Sequence, residues 1–125
     1  MSIFLKIPKD EIILESYNFF VIKDKYPVSK NHLLIISKRV VNDYFSLNQK
    51  EQKELTDLIN KSKAYIEQID NPDGFNIGMN CGEAAGQTIM HFHCHLIPRY
   101  TGDVDNPSGG IRHCIMGKGY YSVGD

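Results

Sequence analysis

The chain has 125 residues, 42% hydrophobic and 23% charged, and its 14 basic and 15 acidic residues leave a formal net charge of −1. That size suits one soluble domain with an ordinary core, and the absence of a basic stripe argues against a surface that follows a nucleic-acid backbone. The lysines and acids interrupting the apolar stretches of the first twenty residues argue against a signal peptide or membrane span, and three cysteines (Cys81, Cys94, Cys114) with no CxxC pair argue against a disulfide framework or a four-thiolate zinc site. Reduced thiols and a cytoplasmic setting are expected.

Residues 12–14, 19–22 and 32–36 are short runs rich in Ile, Phe, Val and Leu separated by turn-forming residues, and they predict three strands of a meander. From Asn48 to Ile69 the apolar positions Leu55, Leu58, Ile59, Ala64, Tyr65, Ile66 and Ile69 fall at three- and four-residue steps, which predicts one long amphipathic helix. Asn71-Pro72-Asp73-Gly74 ends it. Two further strands are expected over 75–80 and 89–97, joined by Gly82-Glu83-Ala84-Ala85-Gly86, and an irregular tail from about residue 104. The expected class is α+β with an antiparallel sheet in a single domain, its core over about 12–103.

The last of these strands contains His91-Phe92-His93-Cys94-His95. Side chains alternate faces along a strand, so the three imidazoles are expected on one face at intervals of roughly 7 Å, with Cys94 inward as a small hydrophobe between Phe92 and Leu96. Imidazoles in a row can act as acid, base and nucleophile near neutral pH, because each ordinarily titrates at about 6.5. A zinc site is the alternative, but the span between the outer rings makes three-fold chelation awkward and no Asp or Glu lies nearby in sequence. The glycine-bracketed loop ending in Gln87 and Thr88 favours phosphate, which its backbone amides and polar side chains could cradle beside the histidines.

The segment from Gly86-Gln87-Thr88 through His91-Phe92-His93-Cys94-His95 to Pro98-Arg99 resembles the signature of the histidine triad (HIT) superfamily of nucleotide hydrolases and transferases, and the stretch from Asp24 through Asn31-His32 to Ile36 is similar to the family's upstream segment. Glu83 to Thr88 and Pro98 to Asp103 look more like the fragile histidine triad branch, which hydrolyses dinucleoside polyphosphates, than like the phosphoramidase branch. Val40, where the latter often has a second histidine, points the same way. Asn31 stands where the family usually has glycine, and Lys23 and Lys25 flank Asp24 where relatives often differ.

The resemblance implies a HIT-like fold of about five strands with one long helix and a short one, its sheet extended across a homodimer. It implies hydrolysis at the α-phosphate through a nucleotidyl intermediate on His93, with His91 and His95 contacting phosphate oxygens or orienting His93. It further implies that His32 hydrogen-bonds into the triad, that Gln87, Thr88 and Asn80 contact phosphate, that Asp24 accepts ribose hydroxyls and that Ile22 helps form the base pocket. No cofactor or resident metal is required, although Mg²⁺ could accompany a polyphosphate. The expected partner is a purine nucleotide, with no nucleic acid or membrane. The alternatives are a phosphoramidate hydrolase or nucleotidyl transferase, a nucleotide-binding signalling module and, third, a zinc-binding protein. Arg99 could meet distal phosphates or pair on the surface, and His113 and Cys114 carry no assignment.

Overall fold

Two uninterrupted apolar runs, Phe19-Phe20-Val21-Ile22 and Leu33-Leu34-Ile35-Ile36, set the architecture, since a strand without polar alternation needs cover on both faces. A computed structural model, which describes residues 2–121, provides that cover. Its strands are β1 (Leu14–Glu15), β2 (Phe19–Lys23), β3 (Leu33–Ser37), β4 (Gly74–Gly78) and β5 (His93–Arg99), and its helix is α1 (Gln49–Ile69). The sheet runs β1-β2-β3-β5-β4, and every neighbouring pair is antiparallel.

One face carries Phe19, Val21, Leu33, Ile35, Cys94 and Leu96 and packs against Leu55, Leu58 and Ile66 of α1. The opposite face carries Phe20, Ile22, Leu34 and Ile36, which meet Phe4 and Ile7 of an amino-terminal segment that includes a 3₁₀ turn over Ile3–Lys6. This second layer comes from residues before the expected core, where six residues are too few to show a period.

Helix α1 begins at a capping box. The Asn48 side chain accepts from Glu51 N–H at 2.8 Å while Glu51 Oε1 accepts from Asn48 N–H at 2.9 Å. Glu51 is buried and also accepts from Arg39 at 2.6 Å, so the carboxylate is paired and held below its usual range chiefly by that guanidinium. None of the described residues forms a helix long and apolar enough to cross a membrane.

The expected helix and strands are present with shifted ends. The first strand shrinks to two residues, and the 75–80 strand becomes Gly74–Gly78. The histidine strand starts at His93 rather than Ile89, because residues 89–92 bend before the ladder with β3 begins at Ile36↔His93. The tail contains a 3₁₀ turn over Gly110–Cys114; there His113 Nε2 bonds Ser108 O at 2.7 Å and its ring lies edge-on to Tyr120. Cys114 is exposed.

Candidate active site

Alternation along β5 puts His93 and His95 on the face opposite α1 and buries Cys94 beneath them. Burial pushes the Cys94 thiol up to about 12, so it is a core group rather than a nucleophile. The end of β2 and the turn before β3 bring Asp24 and His32 alongside. Asp24 N–H donates to His32 O at 2.9 Å, and the turn between them closes through Asn31 at φ 66°, the one described non-glycine residue in the left-handed region. Asn tolerates that conformation better than most residues, so the turn expected of a glycine survives.

These groups line a cavity of about 430 Å³. Ile3, Ile7, Ile22 and Leu34 give it an apolar part, while Asp24, Asn80, Thr88, His93 and His95 give it a polar one. Asp24 keeps its Oδ1 occupied by Tyr26 N–H at 2.8 Å, and its Oδ2 lies 3.3 Å from His32 Nε2.

The hydrogen bonds fix the ring tautomers. Val28 N–H donates to His32 Nδ1 at 3.2 Å, so the His32 proton sits on Nε2, which donates to His95 Nδ1 at 2.9 Å. His95 therefore carries its own proton on Nε2. Burial holds His32 below its ordinary range and lowers His95 to about 4, with the neighbouring histidines adding to the effect on His95. Near neutral pH His95 is an uncharged hydrogen-bond donor. His93 Nδ1 lies 2.8 Å from His91 O, an atom that can only accept, so Nδ1 carries a proton, and of the two ring nitrogens only Nε2 can offer a lone pair.

The structure corrects three expectations. His91 does not share the exposed face; it is fully buried, with Nε2 on Ser37 O at 2.6 Å and Nδ1 on Ser2 Oγ at 2.7 Å, and burial lowers its proton affinity. The bend before β5 breaks the two-residue alternation that would have kept it in line. Gln87 does not reach the cavity either. Its Oε1 accepts from Gly82 N–H at 2.8 Å and its amide donates to Asn42 O and Ile89 O, so the side chain ties the loop to the body.

The 82–86 loop, in turn, is no open amide cradle. It is a 3₁₀ turn that uses the N–H groups of Gly82, Ala85, Gly86 and Gln87 internally and closes through Gly86 at φ 94°. Of the expected anion contacts, Asn80, Thr88 and His95 line the cavity. Arg99 is committed to Asp103, with 2.8 Å contacts from both Nε and Nη2, and to Asn76 at 2.7 Å.

Asp24, His32 and His95 each offer a ligand atom within 4.8 Å of the others, so a carboxylate does neighbour the histidines although none is near in sequence. Donor chemistry disfavours a metal there. Ligation through His32 Nε2 would move its proton to Nδ1, where Val28 N–H already points as a donor.

Sequence reasoning missed Ser2 and Phe4. The Phe4 ring lies edge-on to His91 and His93, with centroids 5.4 and 5.1 Å away. The apolar pattern of Ile3, Phe4 and Ile7 is the only signal that could have pointed to this segment.

The description of the HIT domain matches residues 6–102. This chain belongs to the HIT-domain family. It is 32% identical over 87 residues to an AP-4-A phosphorylase of Mycobacterium tuberculosis, covering 69% of this chain but 45% of that protein, so it spans under half the length of that relative. It is 31% identical over 100 residues to a bis(5'-adenosyl)-triphosphatase of Dictyostelium discoideum, covering 80% of this chain and 67% of that one. A crystal structure of a HIT family protein from Bacillus anthracis superposes with a TM-score of 0.75 at 31% identity, covering 99% of this chain and 81% of the other.

Proposed function

We propose that this chain hydrolyses a dinucleoside polyphosphate at its α-phosphate, with His93 as nucleophile. The observation that carries this reading is the 2.8 Å contact of His93 Nδ1 with His91 O, which places a proton on Nδ1 and so makes Nε2 the lone-pair nitrogen of the neutral ring, in a side chain that lines the cavity. A neutral imidazole is a competent nucleophile near neutral pH, and a covalent step divides one difficult displacement into two. His93 Nε2 forms a bond to the α-phosphorus as the bond to the bridging oxygen breaks, and the electron pair leaves with the released phosphate chain. The nucleotidyl-imidazolium keeps its Nδ1 proton on the His91 carbonyl. Water then displaces His93 and gives up a proton, yielding the nucleoside monophosphate.

His95 Nε2–H, Asn80 and Thr88 serve as donors to the non-bridging oxygens, where negative charge must be offset. Asp24 accepts ribose hydroxyls through Oδ2, and the apolar part of the cavity, Ile22 included, takes a purine base. Mg²⁺, where present, belongs to the polyphosphate substrate. The names of the two relatives, which concern doubly nucleosidic phosphates, support this class over a phosphoramidate, and both reactions would share His93. The reading also takes the free edge of β4 as the seam of a homodimer, because an unpaired edge strand is a ready template for a second copy.

The test is a substrate panel of diadenosine polyphosphates and adenosine phosphoramidate, run on wild type and His93→Asn with an acid quench. A nucleotidylated wild-type protein and a loss of at least about a thousandfold in the variant are expected. Turnover that survives the substitution, or an acid-quenched protein without an adduct, would refute the mechanism.

A further inference from the structure

At about 430 Å³ the cavity stands near the small end of the range for ligand sites, with room for one nucleoside and its α-phosphate. The second nucleoside of a dinucleoside polyphosphate must therefore lie at the rim or beyond it. The inner walls are buried, Ile22 at 4% exposed and Leu34 at 6%. Tyr26 lines the same cavity yet is 88% exposed. Its backbone N–H donates to Asp24 Oδ1 at 2.8 Å, and Pro27, which follows it, restricts its backbone further. The aromatic ring thus stands at the mouth on a constrained backbone, with its faces in water.

Charge is placed in the same way. Lys6, from the amino-terminal turn, and Lys25, beside Asp24, line the cavity from two separate segments. Lys30, Lys38 and Lys63 each lie within 3.6 Å of a carboxylate, whereas neither Lys6 nor Lys25 has such a partner among the described residues. Asp24 is the one described carboxylate lining the cavity, so two ammonium groups against one acid leave positive charge in excess there. Exposure alone would not mark Tyr26, since Tyr17 is equally exposed and does not line the cavity. At this mouth, however, an aromatic face and two unpaired cations occur together.

We propose that Tyr26, Lys25 and Lys6 form an outer subsite for the leaving nucleotide: the ring stacks the second base, and the two ammonium groups offset the charge of the phosphate chain. The chain between the nucleosides is flexible, so the second base can fold back to the rim. Every base has a π face, and stacking on Tyr26 is therefore tolerant of which base is presented. The lysines stay hydrated and act at range, which makes their contribution sensitive to salt.

This subsite rests on the proposed dinucleoside polyphosphate reading, and binding of uncleavable ligands separates the two. Calorimetric titration compares AMP, α,β-methylene-ATP and a diadenosine tetraphosphate analogue with both α,β-bridges replaced by methylene. The proteins are wild type, Tyr26→Ala, Tyr26→Phe and the double variant Lys6→Gln/Lys25→Gln. Wild type should bind the dinucleotide analogue about tenfold more tightly than the ATP analogue, the advantage expected of one stacked base. Tyr26→Ala should lose that advantage while its affinities for AMP and the ATP analogue change by less than about twofold, and Tyr26→Phe should keep it. The double lysine variant should bind both polyphosphates roughly fivefold more weakly at low salt and AMP nearly as well as wild type does. Its difference from wild type should vanish near 1 M salt, where screening is complete within about 3 Å.

Equal wild-type affinities for the ATP and dinucleotide analogues would overturn the subsite. So would a Tyr26→Ala loss that AMP shares, because the ring would then serve the inner nucleoside or the fold, and so would a double lysine variant that binds both polyphosphates as wild type does. If the analogues bind as expected but diadenosine tetraphosphate is not turned over, the hydrolase reading fails and the subsite stands. Turnover with an unchanged KM in Tyr26→Ala has the opposite meaning: the subsite fails and the hydrolase reading stands.

Discussion

Ser62 offers a clean test of how the helix side of the sheet is built. It lies on α1 in the three- and four-residue series Leu55, Leu58, Ser62, Ile66, is fully buried, and is the one described residue whose buried side-chain polar atom has no hydrogen-bond partner. A buried hydroxyl without a partner costs about 1–3 kcal/mol relative to its hydrated state. Alanine removes that cost, and it is a better helix former by up to about 0.5 kcal/mol. Against this stand the dispersion contacts of one oxygen atom, each worth about 0.1–0.2 kcal/mol.

The balance favours Ser62→Ala by about 1–2 kcal/mol, which for a chain of this size raises Tm by roughly 3–7 °C. Thermal unfolding followed by circular dichroism measures the shift, and urea titration should show a higher midpoint at an unchanged slope. Turnover should not change, because α1 and the cavity occupy opposite faces of the sheet. An unchanged or lowered Tm would refute the reasoning, since it would mean that the hydroxyl has a partner worth more than its burial costs.

Acid should weaken the fold in a defined window. Burial lowers the proton affinity of His32, His91 and His95, the last to about 4, so between that value and the ordinary histidine range near 6.5 the unfolded chain binds more protons than the folded one. Stability should therefore be flat above pH 7 and fall steadily from about pH 6.5 to 4, and a Tm that stays constant between pH 7 and 5 would contradict the buried, uncharged state of these rings. At the free edge of the sheet Ile77 is 46% exposed, and Ile77→Lys should convert a homodimer to monomer in light scattering without unfolding it; a wild type that is already monomeric would remove the β4 seam from consideration.

The parts of this molecule that could be read from sequence are those governed by a period. Alternation around Cys94 gave the outward face of His93 and His95, and the apolar spacing from Leu55 to Ile66 gave the buried stripe of α1. The same rule misplaced His91, because alternation holds only inside a ladder and the ladder starts two residues later. Gln87 failed for a different reason. An amide that can reach a phosphate can equally reach Gly82 N–H and the carbonyls of Asn42 and Ile89, and the sequence carries nothing that separates the two uses. Asp24 stands 71 residues before His95 and meets it only because β3 lies between β2 and β5 in the sheet, so its approach to His95 is a matter of strand order.

The two faces of the sheet carry different demands, and β5 joins them. On one side Cys94 and Leu96 are locked into the packing under α1, which holds the backbone that carries His93 and His95. On the other side His32, His93 and His95 line the cavity while His91 stays buried, and three of these rings have tautomers set by an atom that can act in only one sense: Val28 N–H for His32, Ser37 O for His91 and His91 O for His93. All three of these atoms belong to the backbone. Proton placement at these three rings is therefore a property of the fold itself, and side chains enter the network where His32 meets His95 and where Ser2 meets His91. Substitutions on the α1 side should accordingly change stability with little effect on the tautomers.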